Sequence, residues 1–499
     1  MRFPSPRHSA PSSSGDGMGS AVRLNNPVNS SLTKNGALSM VGVVLQGGVR
    51  FLTLLLLGRL AGPLLLGVVA SAIAFAVALS LLWPTTNGAA ASKFMSRARG
   101  KQDDLEVHAV AAHLARRTIQ AGLFLAAVAV PAWMIIDKGQ ATEALSVSVL
   151  VIGMSGYAFT RGVHFGASQI GRGIRWDMLS TSLGFLGVVI CLLLGVRNIA
   201  VLIPMAAGQL LYTVACWPWS AHGRPARDLR REMDAFVLLG SMGTIASAGM
   251  LQVSMLVTKV SDGTARAGQY AAALALTAPL AIVATSLSLA LYPRMAEAYG
   301  RGDHGGLRDQ TDRATRVLAM LMVGCFGMLA LASRPIVQVI WGSSFAFTAT
   351  LVPIIAVALM LNTLGVPSVN SLTSRAHRGM IMVSAISAVG FLVAAIAWAA
   401  LAPRWGATGV TAGYLCGVAT TSFLVMAVVW RRDQQDWASL AARVLVALVV
   451  IAGTISLQRR LGWASWWDVL VALAFGLGWG LLMLPEVRVF VGGLRRRRQ

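Results

Sequence analysis

Carboxylates are scarce in this chain. Asp and Glu number 19 in 499 residues against 42 Lys and Arg, and charged residues of both signs make up only 12%. A soluble domain carries about a quarter charged residues, so a large soluble protein is excluded. Cysteine is limited to Cys191, Cys216, Cys325 and Cys416, each within an apolar run and none in a CxxC spacing. That leaves no basis for a disulfide framework or a thiolate metal centre. The seven histidines make no HExxH set, and GxxxxGK[ST] is missing. The sequence therefore carries no zinc-hydrolase or nucleotide-driven pump signature. Neither an enzyme, a metal nor a cofactor is expected.

Apolar residues fill the space, at 56% of the chain and a mean hydropathy of +0.67. Fourteen apolar runs are readable, at 36–57, 64–84, 118–136, 144–167, 178–196, 199–219, 235–258, 269–292, 317–333, 349–372, 380–401, 408–430, 440–457 and 468–484. Each approaches the roughly 20 residues that a helix needs to cross a bilayer. The expected fold is all-α and polytopic, with about 14 transmembrane helices. Residues 1–33, rich in Ser, Pro and Gly without the apolar stretch of a signal peptide, are expected to be a disordered cytoplasmic tail.

Lys and Arg set the orientation. With the N-terminus inside, the inner segments hold 30 of them and the outer loops 9. That bias places both termini in the cytoplasm. The net charge of +23 is thus a topology signal, and nucleic acid is not an expected partner. The closing "LRRRRQ" suits an anionic leaflet, so membrane lipids are.

A weak repeat runs through the chain. "GVVASAIAFAVALSLL" (67–82) precedes a basic loop with "SRARGKQD", and "GQYAAALALTAPLAIV" (268–283) precedes one with "AYGRGDHG". The offset, near 200 residues, spans six passes, so both copies have the same orientation. Two parallel six-helix lobes follow, at 34–234 and 235–434, with a site between them. Two further helices at 435–485 and a basic cytoplasmic tail at 486–499 complete the division.

The informative charges lie inside the spans. No acidic residue is expected in a span core, with Asp177 and Asp234 read as end or loop positions. Arg50 falls well inside span one, and Arg161 inside span four with His164 on the same face. Arg59 and Lys259 flank the outer ends of spans one and seven. A charge at the bilayer centre costs about 2.5–3.5 kcal/mol, so an unpaired Arg needs a reason. Arg161 can snorkel to the interface, His164 can be a packed side chain, and Arg59 and Lys259 can be anchors. Arg50 is hardest to explain in those ways. An anionic ligand would suit it, since a guanidinium binds phosphate bidentately and stays charged. Gln46, one turn before Arg50, and Gln252 in span seven are candidate polar neighbours. Asn362 and Asn370 flank Pro367, where freed backbone groups could line a cavity or serve helix packing.

Four stretches, in order, resemble the bacterial polysaccharide flippases. "RLAGPLLLGVVASAIAFAVAL" (59–79) resembles their R-x-L-G-P opening. "GQYAAALALTAPLAIVATSLSLALYPRMAEAYGRGD" (268–303) resembles their second-half signature. "WGSSFA" (341–346) and "WGATGVTAGYLCG" (405–417) are similar to two later segments. Ala61 and Leu65–Leu66 depart from the usual pattern. These flippases form the oligosaccharide-lipid branch of a superfamily that also holds multidrug and toxin extruders and the peptidoglycan-precursor flippase. The resemblance implies alternating access by two lobes, carrying a polyprenyl-diphosphate-linked glycan from the inner to the outer leaflet of the bacterial plasma membrane. Arg50 matches the functional arginines in span one of such flippases. Glycan-assembly enzymes are the implied protein partners. A cation-coupled drug exporter of the same fold is the alternative, and would be expected to carry cavity carboxylates. A membrane glycan polymerase or ligase is a third reading, and would need a larger outer loop than the roughly 15 residues around 334–348.

Overall fold

A computed structural model describes residues 32–137, 141–375 and 377–484. The expected N-terminal tail, up to residue 31, and the expected basic tail at 486–499 lie outside the described residues. Among those described there are helices and turns but no strands.

The first lobe comprises α1 (Leu32–Leu82), α2 (Pro84–Gly100), α3 (Asp104–Asp137), α4 (Ala141–Gly166), α5 (Ile170–Leu193) and α6 (Leu202–Cys216). The second comprises α7 (Arg227–Thr244), α8 (Met250–Asp262), α9 (Thr264–Gly300), α10 (His304–Leu318), α11 (Gly324–Leu331), α12 (Ser333–Ile340), α13 (Thr348–Ser374) and α14 (His377–Asp433). Single π-helical turns at Ile245–Gly249 and Ala319–Val323 join α7 to α8 and α10 to α11. The appended helices are α15 (Ala438–Leu461) and α16 (Ser465–Leu482).

Eleven helical runs among the described residues are long and apolar enough to cross a membrane. Two of them are each a pair of passes. α1 turns at Gly62 (φ 78°) and α14 at Gly406 (φ 52°), where the chain leaves helical geometry. Glycine tolerates that left-handed region and Pro63 restarts the helix, as proline does at a first helical position. The 37-residue α9 supplies another pass. Among the described residues, the helices therefore accommodate about fourteen passes, as the hydropathy predicts.

The repeat is visible as reciprocal contacts. A Cβ on Gly67 would strike the carbonyl of Thr264, and a Cβ on Gly268 would strike the carbonyl of Pro63. Both pairs of equivalent positions are 201 residues apart. Gly62 and Gly263, with the same offset, both have positive φ. On the opposite side of the membrane, Asp103 accepts the N–H of Glu106 at 2.9 Å and Asp303 that of Gly306 at 2.7 Å. The missing side chains at Gly67 and Gly268 let α1 and α9 cross backbone to backbone, as small residues do in membrane interfaces.

The lobes meet at both ends, with different chemistry. At the end where α1 turns, Lys259 of α8 pairs with Asp137 of α3 at 2.5 Å, and its ammonium lies 4.3 Å from the Trp133 ring centroid. Arg59 donates to the carbonyls of Val339 and Ile340, capping the C-terminus of α12. Trp341 and Phe345 fill the space over Gly58. At the other end, α2 and α3 reach the first turns of α7, the helix that enters the second lobe: Arg97 and Glu232 pair at 2.9 Å and Arg117 and Asp234 at 3.1 Å, all partly exposed.

The appended helices rest on the second lobe. Arg334 holds the fully buried Asp468 through two bonds of 2.7 Å, and the Trp463 indole donates to the same carboxylate at 2.8 Å. Trp479 donates to the carbonyl of Met320 at 2.9 Å. Buried indoles need such partners.

Candidate substrate cavity

A cavity of about 250 Å³ opens inside the first lobe, between α1, α4, α5 and α6. Small residues make room for it. Gly184 of α5 and Gly208 of α6 face each other, and a Cβ on Gly208 would meet the Ser180 carbonyl at 2.6 Å. The two helices thus cross closely, and their longer side chains are left to line the space.

Arg50 projects from α1 into this cavity. It lies twelve residues before the Gly62 turn, about 18 Å along the helix, which is past half of a hydrocarbon core of about 30 Å. Arg50 is open to the cavity and makes no hydrogen bond or ion pair with another described residue. A cation at this depth is costly unless water or an anion reaches it.

One wall of the cavity is a buried relay. Arg161 Nη1 donates to Gln46 Oε1 at 3.2 Å, and Gln46 Nε2 donates to the Tyr157 hydroxyl at 2.6 Å. Tyr157 donates in turn to Asp177 Oδ1 at 3.0 Å, which also accepts from Thr181 at 3.3 Å. Gln46 and Tyr157 thereby join α1 to α4 across 111 positions of sequence, and Asp177 adds α5.

Asp177 corrects an expectation. It was placed at a span end, but α5 begins at Ile170, so Asp177 sits two turns inside the helix and is only 8% exposed. It is linked to Arg161 through Tyr157 and Gln46, so the interior does hold a carboxylate. The polar start of α5, with Arg172 and Arg175, depresses the local hydropathy and hides the helix from a hydropathy reading.

The nine expected site residues separate into three groups. Gln46 and Arg50 line the cavity, and Arg161 and His164 line a small void of about 20 Å³ beside it, with Asp177 and Tyr212. His164 is 2% exposed and its Nδ1 bonds the carbonyl of Thr160 at 3.0 Å. Arg59 and Lys259 lie on the seam between the lobes, each with the partners already described. Gln252 is half-buried in α8, Asn362 exposed and Asn370 buried in α13, and none of the three lines a first-lobe cavity. Gln252 therefore does not face Arg50 across a shared cavity.

Sequence reasoning missed Tyr157, Thr181, Gln209 and the depth of Asp177. Two had a readable signal. Tyr157 is four residues before Arg161, one turn away on the same face. Gln209 is the one amide in the otherwise apolar run "LIPMAAGQLLY".

A family model described as lipid II flippase MurJ matches residues 67–475. Among solved structures, a lipid II flippase MurJ in an inward closed conformation is similar at a TM-score of 0.65 and 12% identity, over 92% of this chain and 99% of that one. A MOP superfamily transporter from Pyrococcus furiosus, described as having a binding pocket of reversed polarity, is similar at a TM-score of 0.58 and 15% identity, over 80% and 96%. An inward-facing multidrug resistance MATE family transporter is similar at 0.57 and 16%, over 82% and 96%. At these identities the structures speak to the fold. No curated protein matches in sequence.

Proposed function

The chain belongs to the lipid II flippase family, and from that premise we propose that Arg50 binds the diphosphate of the lipid-linked glycan this flippase moves across the membrane. The protein is a transporter and not an enzyme. The observation that carries the role of Arg50 is its position: a guanidinium at mid-depth, open to a cavity in which it is the one charged lining residue, with no described partner. A diphosphate supplies what it lacks, through bidentate, charge-assisted bonds.

The lobes at 34–234 and 235–434 rock against each other, and the helices at 435–485 ride with the second. The α7 helix, which starts at Arg227, spans that boundary. With 30 Lys and Arg against 9, the seam bearing Lys259 and Arg59 faces outward, and the termini lie in the cytoplasm of a bacterial plasma membrane. Gln46, Arg161 and His164 shape the wall behind Arg50. We assign Arg59 and Lys259 to closing the outer seam, and Asn362, Asn370 and Gln252 to packing.

Asp177 removes one argument against a cation-coupled exporter, which was the lack of interior carboxylates. It does not reverse the sign of the cavity. Asp177 is not among the residues lining the cavity, where Arg50 is the one charged side chain. That unbalanced cation favours an anionic cargo. The test is replacement of Arg50 by Ala, with export of the glycan and accumulation of its lipid-linked intermediate followed together. Export should fall and the intermediate build up at unchanged protein level. Arg50→Lys should restore part of the activity, since it keeps the charge and loses the fork. Normal export by Arg50→Ala overturns the assignment.

A further inference from the structure

The second lobe carries a groove on the face of α8 turned away from the first lobe. Val253, Val257 and Ser261 recur every four residues along that face. Lys259, which reaches the first lobe, lies two residues from both Val257 and Ser261, about 200° round the helix. Phe391, Ala395, Trp398, Ala399 and Ala402 follow helical spacing on the facing stretch of α14. The groove between them holds about 530 Å³ and is apolar except for Ser261 at one end. Its wall is preformed. Trp398 donates its indole N–H to the Val410 carbonyl at 2.9 Å and meets Phe391 edge-on, with ring centroids 6.1 Å apart. Gly413 makes room for that indole, since a Cβ there would lie 2.5 Å from Trp398 Cδ1. The alanines set the floor.

Length and depth match a single leaflet. The groove starts at Ser261 and Pro403, beside the Gly406 turn, and ends at Val253 and Phe391. That is about 12 Å along α8 and about 18 Å along α14, against about 15 Å for half of a hydrocarbon core. On the orientation proposed above, the leaflet is the outer one. At the mouth Arg404 and Trp405 are exposed, and Arg404 makes no hydrogen bond or ion pair with another described residue. Asp262, next to Ser261, is taken up by the Ala407 N–H at 2.7 Å. Lipid chains are as apolar as the groove, so tail contact alone gives no preference for one lipid over another. An anionic head group beside a free arginine does.

We propose that this groove holds an acyl chain of an anionic phospholipid of the outer leaflet, with the lipid phosphate on Arg404. A polyprenyl cargo tail is the poorer fit. It is longer than one leaflet is deep, and the groove lies on the far side of α8 from the seam between the lobes. The proposal is independent of the role of Arg50 and takes from the flippase reading only which leaflet is meant.

The test places the purified full-length chain in phosphatidylcholine vesicles with a trace of phosphatidylglycerol that bears a photoreactive diazirine on one acyl chain. The label is mapped by peptide mass. Labelling of 253–261 and 391–403 should exceed that of the lipid-facing residues of 469–482 in α16 by about fivefold, the preference that one arginine gives near an anionic head group. A diacylglycerol with the same chain should show no such excess. Arg404→Ala, at an exposed position with no partner to lose, should remove the excess, and Ala399→Phe should remove it by filling the floor. Even labelling of both regions in the wild-type protein overturns the proposal and leaves ordinary bilayer contact only. An excess that survives Arg404→Ala overturns it as well. So does displacement of the label by an equimolar amount of polyprenyl diphosphate, which would seat the cargo tail in the groove. Arg50→Ala should leave the labelling unchanged, so this proposal and the role assigned to Arg50 fail separately.

Discussion

The two lobes share a fold but put their charges in different places. The first lobe keeps Arg50, Arg161 and Asp177 within its helices, Arg50 open to a cavity and the other two linked behind it through Gln46 and Tyr157. The second keeps its charges at helix ends. Arg375 grips Asp433 through both guanidinium nitrogens, one bond being 2.8 Å, and also reaches Ser371. Arg316 pairs with Asp312, which also accepts from the Trp437 indole at 2.8 Å. The cavity between α8 and α14 is lined by Val253, Val257, Phe391, Trp398 and Ala402, with Ser261 its lone hydroxyl among the lining residues. A paired charge at a helix end fixes one arrangement. A lone charge at depth is costly until something arrives to meet it. On the proposed reading, the repeat supplies two similar frames, one used for binding and the other for anchoring.

That contrast can be broken by substitution. The largest effect on stability is expected at Arg375→Ala, which strands a buried Asp433 carboxylate. Removing one partner of a buried pair costs about 3 kcal/mol. The thermal midpoint of the purified protein should drop, while transport per folded molecule stays near wild type. A loss of transport without a drop in midpoint would place a binding role in the second lobe. Tyr157→Phe comes next. It deletes the hydroxyl that links Gln46 to Asp177 and costs about 1–2 kcal/mol in a buried site. Both stability and transport should fall, because the wall behind Arg50 loosens. Arg59→Ala should be the mildest, under about 1 kcal/mol, since the side chain is exposed and caps a helix end. Transport within about twofold of wild type is expected, and a loss as large as that at Arg50 would move the binding site to the seam.

Much of the fold was legible from residue order alone. The apolar runs are long enough to count, and the 201-residue offset that relates Gly62 to Gly263 in the structure lies close to the repeat read from the sequence. Two pairs of runs follow one another almost without a break, since Gly62 and Gly406 turn the chain within one residue and leave no polar loop between the passes. The cavity was less legible. Arg50 stood out because an interior arginine is rare, but Asp177 was hidden behind Arg172 and Arg175 at the start of α5. The partnership of Gln46 with Tyr157 depends on how α1 crosses α4, which no spacing within either helix encodes. Lys259 illustrates the same limit. Its partner Asp137 lies at the end of a helix in the other lobe, and only the packing of the lobes brings the two together.

The central claim is that one unpartnered arginine at depth binds the cargo diphosphate. Reconstituting the protein in vesicles and timing the appearance of the lipid-linked glycan in the opposite leaflet tests it most directly. Arg50→Ala should slow translocation by about a hundredfold, the equivalent of about 2.7 kcal/mol, and Arg50→Lys should fall between it and wild type. Translocation by Arg50→Ala at the wild-type rate would contradict the account.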